Sequence, residues 1–177
     1  KPVSKPEQIE KDEINSFIHS LTIDFPASEE MSRAARQIQT NAWDHADYEI
    51  SNPDKKLIDW TNTEFRLFQA LENDRFSDRI HEDFERVDQF VALANSILNR
   101  RKSRAGKSLE HHLSALFVSN NLSVTAQGKT EGHKKPDFIF PSEEAYHNPD
   151  FPVEKLAVLG AKTTCKDRWR QVINEAD

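Results

Sequence analysis

Two short stretches decide how this chain folds: Pro136-Asp137-Phe138-Ile139-Phe140 and Leu156-Ala157-Val158-Leu159-Gly160-Ala161-Lys162. Each is a brief apolar run, rich in β-branched or aromatic side chains and bounded by turn formers, the pattern of a buried strand. Asp137 opens the first run and Lys162 closes the second. Neighbouring strands would bring the carboxylate and the ammonium to one end of a sheet. Glu175 follows Lys162 by thirteen residues, on a segment, Lys166 to Ala176, that reads as a helix.

A carboxylate pair beside a lysine is what metal-assisted phosphodiester cleavage needs. Carboxylates offer Mg²⁺ the hard oxygen ligands it prefers. The metal activates water, and the lysine neutralises developing charge. In this arrangement Pro136-Asp137, Lys162 and Glu175 resemble the PD-(D/E)xK nuclease superfamily, in the variant whose second acid lies on a helix after the lysine. The run Gly160-Ala161-Lys162-Thr163-Thr164-Cys165-Lys166-Asp167-Arg168-Trp169-Arg170-Gln171 is more specific. It is similar to the catalytic domains of the EcoRII family of restriction endonucleases, and it covers the last third of the chain.

That resemblance implies cleavage of duplex DNA at CCWGG, where W is A or T, with Mg²⁺ as cofactor, and a role in restricting foreign DNA. It also implies a homodimer, because a two-fold site is most simply read by two copies of one motif. Asp137, Lys162 and Glu175 are the expected catalytic residues, with Glu110 as a further candidate acid on the preceding helix. Asp137 and Glu175 are the expected metal ligands. The resemblance further implies, in the full-length enzyme, a separate N-terminal domain that binds an effector copy of the DNA. This chain, beginning Lys1-Pro2-Val3, reads as a catalytic domain without it, so no second DNA site should be needed. Two other readings stand beside this one: a related nuclease of different preference, such as CCNGG, and a catalytically inactive, sequence-specific DNA-binding module.

The segment after the lysine has the chemistry of base reading. Arg168 suits guanine O6 and N7, Asp167 can accept from cytosine N4, and Lys166 can donate to a second guanine. Its ordinary alternative is a charged first turn of a helix. Arg170 suits a phosphate, which positions without specifying. Arg100, Arg101, Lys102, Arg104 and Lys107 are the densest positive cluster. They read either as backbone-phosphate contacts or as a solvated loop. The resemblance also implies that the central base pair of the site is flipped out, which needs an aromatic and arginine wedge; Trp43, Trp60, Phe65 and Arg66 are the residues from which it would be drawn, though apolar core is the commoner fate of such aromatics.

Bulk properties fit this frame. A length of 177 residues suits one α/β domain with a real core. The net charge of −6 is uneven: residues 1–98 carry 11 Lys+Arg against 20 Asp+Glu, and residues 99–177 carry 13 against 10. The local field matters more to a DNA groove than the total. No apolar run approaches the length of a membrane helix. The single cysteine, Cys165, excludes an intramolecular disulfide and suits a reducing compartment such as the bacterial cytoplasm. Four glycines and no glycine upstream of Gly106-Lys107-Ser108 argue against a P-loop.

The architecture expected is restriction-endonuclease-like, a helical N-terminal half packed on a small mixed sheet. Residues 1–5 read as a linker tail. Helical spacing predicts helices over Glu7–Leu21, from an N-cap at Ser28 to Trp43, over Asp54–Glu72, over Glu82–Asn99 and over Ser108–Asn120. The basic stretch 100–107 reads as the connection between the last two. Strands are predicted at Leu122–Thr125, Asp137–Phe140 and Leu156–Lys162. Residues 141–154 read as a proline-containing loop with a short helical turn. The final helix meets no stop signal at Glu175-Ala176-Asp177, and the superfamily resemblance implies further strands after it, so the chain reads as a truncated portion of a longer domain.

Overall fold

The structure, a computed structural model, describes residues 4–43, 51–132 and 134–163. It divides into two compact units, Lys1–His112 and Leu113–Asp177.

The first unit is helical. Helix α1 spans Lys5–Ser20 and begins with a reciprocal cap: Ser4 Oγ accepts from the Glu7 amide while Glu7 Oε2 accepts from the Ser4 amide at 2.8 Å. Thus Ser4 and Lys5, read as part of a tail, already form the helix start. Helix α2 spans Ser28–Trp43, with Phe25-Pro26 interrupting the chain before it. Ser28 lies within its first turn. Helix α3, Pro53–Ile80, is capped by Asn52, whose side chain accepts from the Lys55 amide, and has proline at its first position.

Ile14 and Ile18 of α1, Met31, Ala35 and Ile38 of α2, and Leu67, Phe68 and Leu71 of α3 form one buried cluster. Burying side chains of this size contributes roughly 1.5–3 kcal/mol each, which binds the three helices into a unit. Residues 56, 60, 63, 64, 67, 68, 71 and 72 make the buried stripe of α3, and they include Lys56, Glu64 and Glu72. Polar side chains therefore occupy positions that periodicity alone would fill with hydrocarbon.

Helix α4 corrects one expectation. It runs unbroken over Val87–Ser119, so residues 100–107 are helix rather than a connection. Arginine and lysine are good helix formers, and one interior glycine costs only about 1 kcal/mol. Gly106 has open space where a side chain would stand, so no packing reason forces a break there.

The second unit begins with the C-terminal turns of α4. Its sheet has strands β1 (Thr125–Ala126), β2 (Phe138–Phe140) and β3 (Ala157–Leu159) in that order, both pairs antiparallel. Thr125 faces Ile139 and Ile139 faces Val158 in the register. The described sheet is thus antiparallel where a mixed one was expected. Only the central strand is buried: Phe138 and Ile139 are inaccessible, whereas all of β3 is exposed. β3 pairs on one side only among the described residues, so its apolar run does not become core.

Phe117 of α4 meets the rings of Phe138 and Phe140 edge-on, each 5.1 Å between centroids. This docks helix against sheet within the unit. A short helix, α5 (Glu143–His147), and a 3₁₀ turn at Val153–Lys155 lie in the loop between β2 and β3. Tyr146 on α5 donates to Glu131 at 2.5 Å, and this hydrogen bond to a carboxylate pushes its phenol up to about 12. Gly128 fits its place because a Cβ there would stand 2.7 Å from Ile139 Cδ1. No helix among the described residues is long and apolar enough to cross a membrane.

Candidate active site

Asp137 sits one residue before β2 and is nearly buried, with a backbone that already follows the sheet: its carbonyl accepts from the Gln127 amide at 3.0 Å. Phe138 and Ile139 after it are both buried, on opposite faces of β2, and Asp137 stands at the strand entrance on the Ile139 side.

Three groups surround its carboxylate. Oδ2 accepts the Ala161 amide hydrogen at 2.6 Å. Oδ1 accepts from Gln127 Nε2 at 3.2 Å. Lys162 Nζ stands 3.7 Å from Oδ2, with its side chain 38% exposed. The antiparallel pairing of β2 with β3 is what delivers this: Phe138 faces Leu159 in register, so the residues just beyond Leu159 pass Asp137. Gly160 approaches Oδ2 closely enough that a Cβ would stand 3.9 Å away, ordinary contact. Asp137 and Lys162 are therefore adjacent, as their places in the sequence led one to expect. Gln127 was not foreseen. It lies just past a two-residue strand with a φ of 54°, and no periodicity marks it.

A carboxylate has about four lone-pair sites, and the two amide donors occupy two of them. What remains is a hard oxygen donor suited to Mg²⁺, which takes one or two carboxylates plus substrate oxygens. Among the described residues no group of three acidic, histidine or cysteine side chains gathers at one point. Glu175, the expected second ligand, lies outside the described residues, as do Lys166, Asp167, Arg168 and Arg170. Glu110 lies on α4 in the helical unit, half-buried.

The basic cluster divides. Arg101 is held by both oxygens of the buried Glu72 carboxylate. Lys102 is exposed. Arg100 sits over the Phe25 ring, with 3.9 Å from its guanidinium carbon to the ring centroid. Arg104 donates to the Pro26 carbonyl at 2.7 Å. Of the aromatic candidates, Trp60 is core, Trp43 donates to Glu10 at 3.2 Å, and Phe65 is 59% exposed. Arg66 is engaged with both oxygens of Glu10.

A family model described as "EcoRII C terminal" matches residues 68–177, including both Asp137 and Lys162. The chain belongs to this family. Among curated proteins it is 56% identical over 127 residues to the type II restriction enzyme EcoRII of Escherichia coli, covering 71% of this chain and 31% of that protein. It is 24% identical over 163 residues to the type II restriction enzyme SsoII of Shigella sonnei, covering 75% of this chain and 52% of that protein. The chain thus spans about a third to a half of these relatives. Among solved structures it superposes on metal-depleted Ecl18kI in complex with uncleaved, modified DNA, with a TM-score of 0.65 at 20% identity, covering 99% of this chain and 64% of that one. At that identity the likeness establishes the restriction-endonuclease fold.

Proposed function

We propose that this member of the EcoRII C-terminal family is a Mg²⁺-dependent type II restriction endonuclease domain that cleaves duplex DNA at CCWGG. The observation that carries the reading is the placement of Lys162 Nζ 3.7 Å from Asp137 Oδ2 at one end of the β2–β3 pair. The family match over the same residues supports it.

Asp137, together with Glu175, would hold Mg²⁺, which when bound would supply water activation and charge stabilisation at the scissile phosphate. The chain's own groups do the rest. The Ala161 amide and Gln127 fix the Asp137 carboxylate, so its orientation is set before substrate arrives. The half-exposed Lys162 ammonium is placed to neutralise negative charge growing on the phosphoryl oxygens. Lys166, Asp167 and Arg168 follow it directly in sequence and would read C·G pairs in the major groove. Arg170 would grip a phosphate.

A homodimer belongs to this reading. The N-terminal half of α4 exposes Val87, Phe90, Val91 and Leu98, each 45–78% accessible, an apolar stripe that suits a second copy.

The deciding experiment is cleavage of a single-site CCWGG duplex with Mg²⁺, beside a CCSGG duplex (S is C or G) and a Lys162→Ala protein. Cutting of the first duplex alone, lost in the variant, is the expected result. Cutting of both duplexes would remove the specificity. Selective retention of CCWGG without cutting would favour a DNA-binding module instead.

A further inference from the structure

Within the helical unit, a cleft of about 480 Å³ lies between the Phe25–Ser28 segment and one face of α4. Residues 96, 99, 100, 103, 104 and 107 recur at helical spacing along that face, and they include Arg100, Arg104 and Lys107. No carboxylate lines the cleft. Elsewhere in the unit, Arg66, Arg75, Arg86 and Arg101 each pair with an acidic side chain. Arg100, Arg104 and Lys107 have no such partner among the described residues.

The two arginines are held by other means. Arg100 is pressed on Phe25, and Arg104 rests near Phe68 while donating to the Pro26 carbonyl. Stacking fixes a guanidinium without using its N–H donors. Arg100 Nε and Arg104 Nη1 are buried with no hydrogen-bond partner among the described residues. Like charges four residues apart on a helix repel, and burial together with Arg100 disfavours the charged form of Arg104, with only Glu64 opposing. Positioned guanidiniums that line a cleft and form no ion pair among the described residues are a receptor for a tetrahedral oxyanion, which accepts several hydrogen bonds from an arginine fork.

We propose that Arg100, Arg104 and Lys107 form a backbone-phosphate site that holds a phosphodiester of bound duplex DNA in the Phe25–α4 cleft. This rests on the DNA-binding reading above and narrows it: of the basic stretch, the residues facing the cleft bind, and Arg101 is spent on Glu72. Such a contact adds affinity without sequence preference.

The test is duplex binding by fluorescence anisotropy across a KCl series, without divalent metal, using CCWGG and unrelated duplexes. Lys107→Ala changes an exposed side chain, and Arg100→Gln removes the stacked charge, with its folding checked by thermal melting. Lys11→Ala on α1 serves as a charge-matched control. The expected result is a slope of log affinity against log salt reduced by about 1 in each cleft variant. The CCWGG and unrelated duplexes should weaken by the same factor, and the control should match wild type. Unchanged slopes in both cleft variants, with wild type binding normally, would overturn the cleft site alone. Failure of the wild-type chain to bind any duplex would overturn the function reading with it. An added arm with inorganic phosphate at constant ionic strength separates sources: thermal stabilisation by phosphate that Lys107→Ala abolishes, without any change in DNA slope, would make this a free-anion site and also overturn the proposal.

Discussion

Lys162 Nζ lies 3.7 Å from Asp137 Oδ2, and the neighbouring Ala161 amide donates to the same oxygen at 2.6 Å. The lysine is a partly exposed partner of a fixed carboxylate, so it contributes little to holding the fold. Lys162→Ala should therefore leave the thermal midpoint close to wild type while cleavage falls on the order of 10³-fold. DNA affinity measured without metal should remain. A joint loss of stability and binding would assign the lysine a structural role.

Asp137→Asn tests the other partner. An asparagine keeps the shape and its oxygen can still accept from the Ala161 amide, with its own amide turned to a flipped Gln127, so what the substitution removes is the charge on the acceptor. Hydrogen bonds to a charged acceptor contribute about 1.5–3 kcal/mol, and the group is nearly buried. Cleavage should vanish, and a urea titration should show stability lower by up to that amount. An unchanged midpoint would mean the contacts around Asp137 hold nothing in place.

What could be read beforehand tracks what each residue needs. Ile14, Ile18, Met31, Ala35, Ile38, Leu67 and Leu71 announce their helices because apolar side chains recur at the helical period. Asp137 and Lys162 announce the site because the runs they bound are short and apolar. The continuity of α4 through Arg100–Lys107 was hidden: a basic stretch ending in Gly106-Lys107 lacks the apolar stripe that marks a helix, yet its residues are good helix formers. The burial of Lys56, Glu64 and His112 was hidden too. Charged residues at stripe positions look solvated until their partners are known, here Gln39 at 2.7 Å from Lys56 and Arg36 at 3.3 Å from His112. Gln127 was invisible because its role depends on a pairing between segments ten residues apart.

The buried Glu64–His112 pair sets an acid limit on stability. His112 Nε2 is 3.0 Å from Glu64 Oε2, and Arg36 faces the other ring nitrogen at 3.3 Å. Burial, aided by Arg36 and His111, holds the imidazole below its usual range despite the glutamate, so the fold favours its neutral form. Glu64 is held below the usual carboxylate range: burial opposes ionisation, but contacts with His112, Ser32 and Ser108 prevail. Both groups bind protons more readily when unfolded, so stability rises with pH. The contribution of His112 is complete above about pH 6.5 and is lost as pH falls through its lower folded value. Glu64 adds a further loss below the ordinary carboxylate range. Urea midpoints should be level from pH 8 to 7 and decline below that, and a rise in stability on acidification from pH 7 to 5.5 would contradict the assignment.

Gln127 is predicted to position the candidate metal ligand without touching substrate. Its side chain donates to Asp137 Oδ1 at 3.2 Å, while its amide bonds the Asp137 carbonyl. Gln127→Ala keeps the Cβ, so the backbone strain at a φ of 54° is the same in both proteins. What is lost is the outer hydrogen bond that aims one carboxylate oxygen. Loss of such a contact typically weakens metal binding or activity about 10–100-fold. Cleavage by Gln127→Ala should need correspondingly more Mg²⁺ and approach the wild-type rate when Mg²⁺ is saturating. Duplex affinity without metal should not move. Gln127→Glu sets a second carboxylate against Asp137 Oδ1 where a donor stood, so it should cost cleavage more than the alanine does at low Mg²⁺. A lowered melting temperature in Gln127→Ala with an unshifted Mg²⁺ requirement would show that the side chain braces the sheet rather than the site.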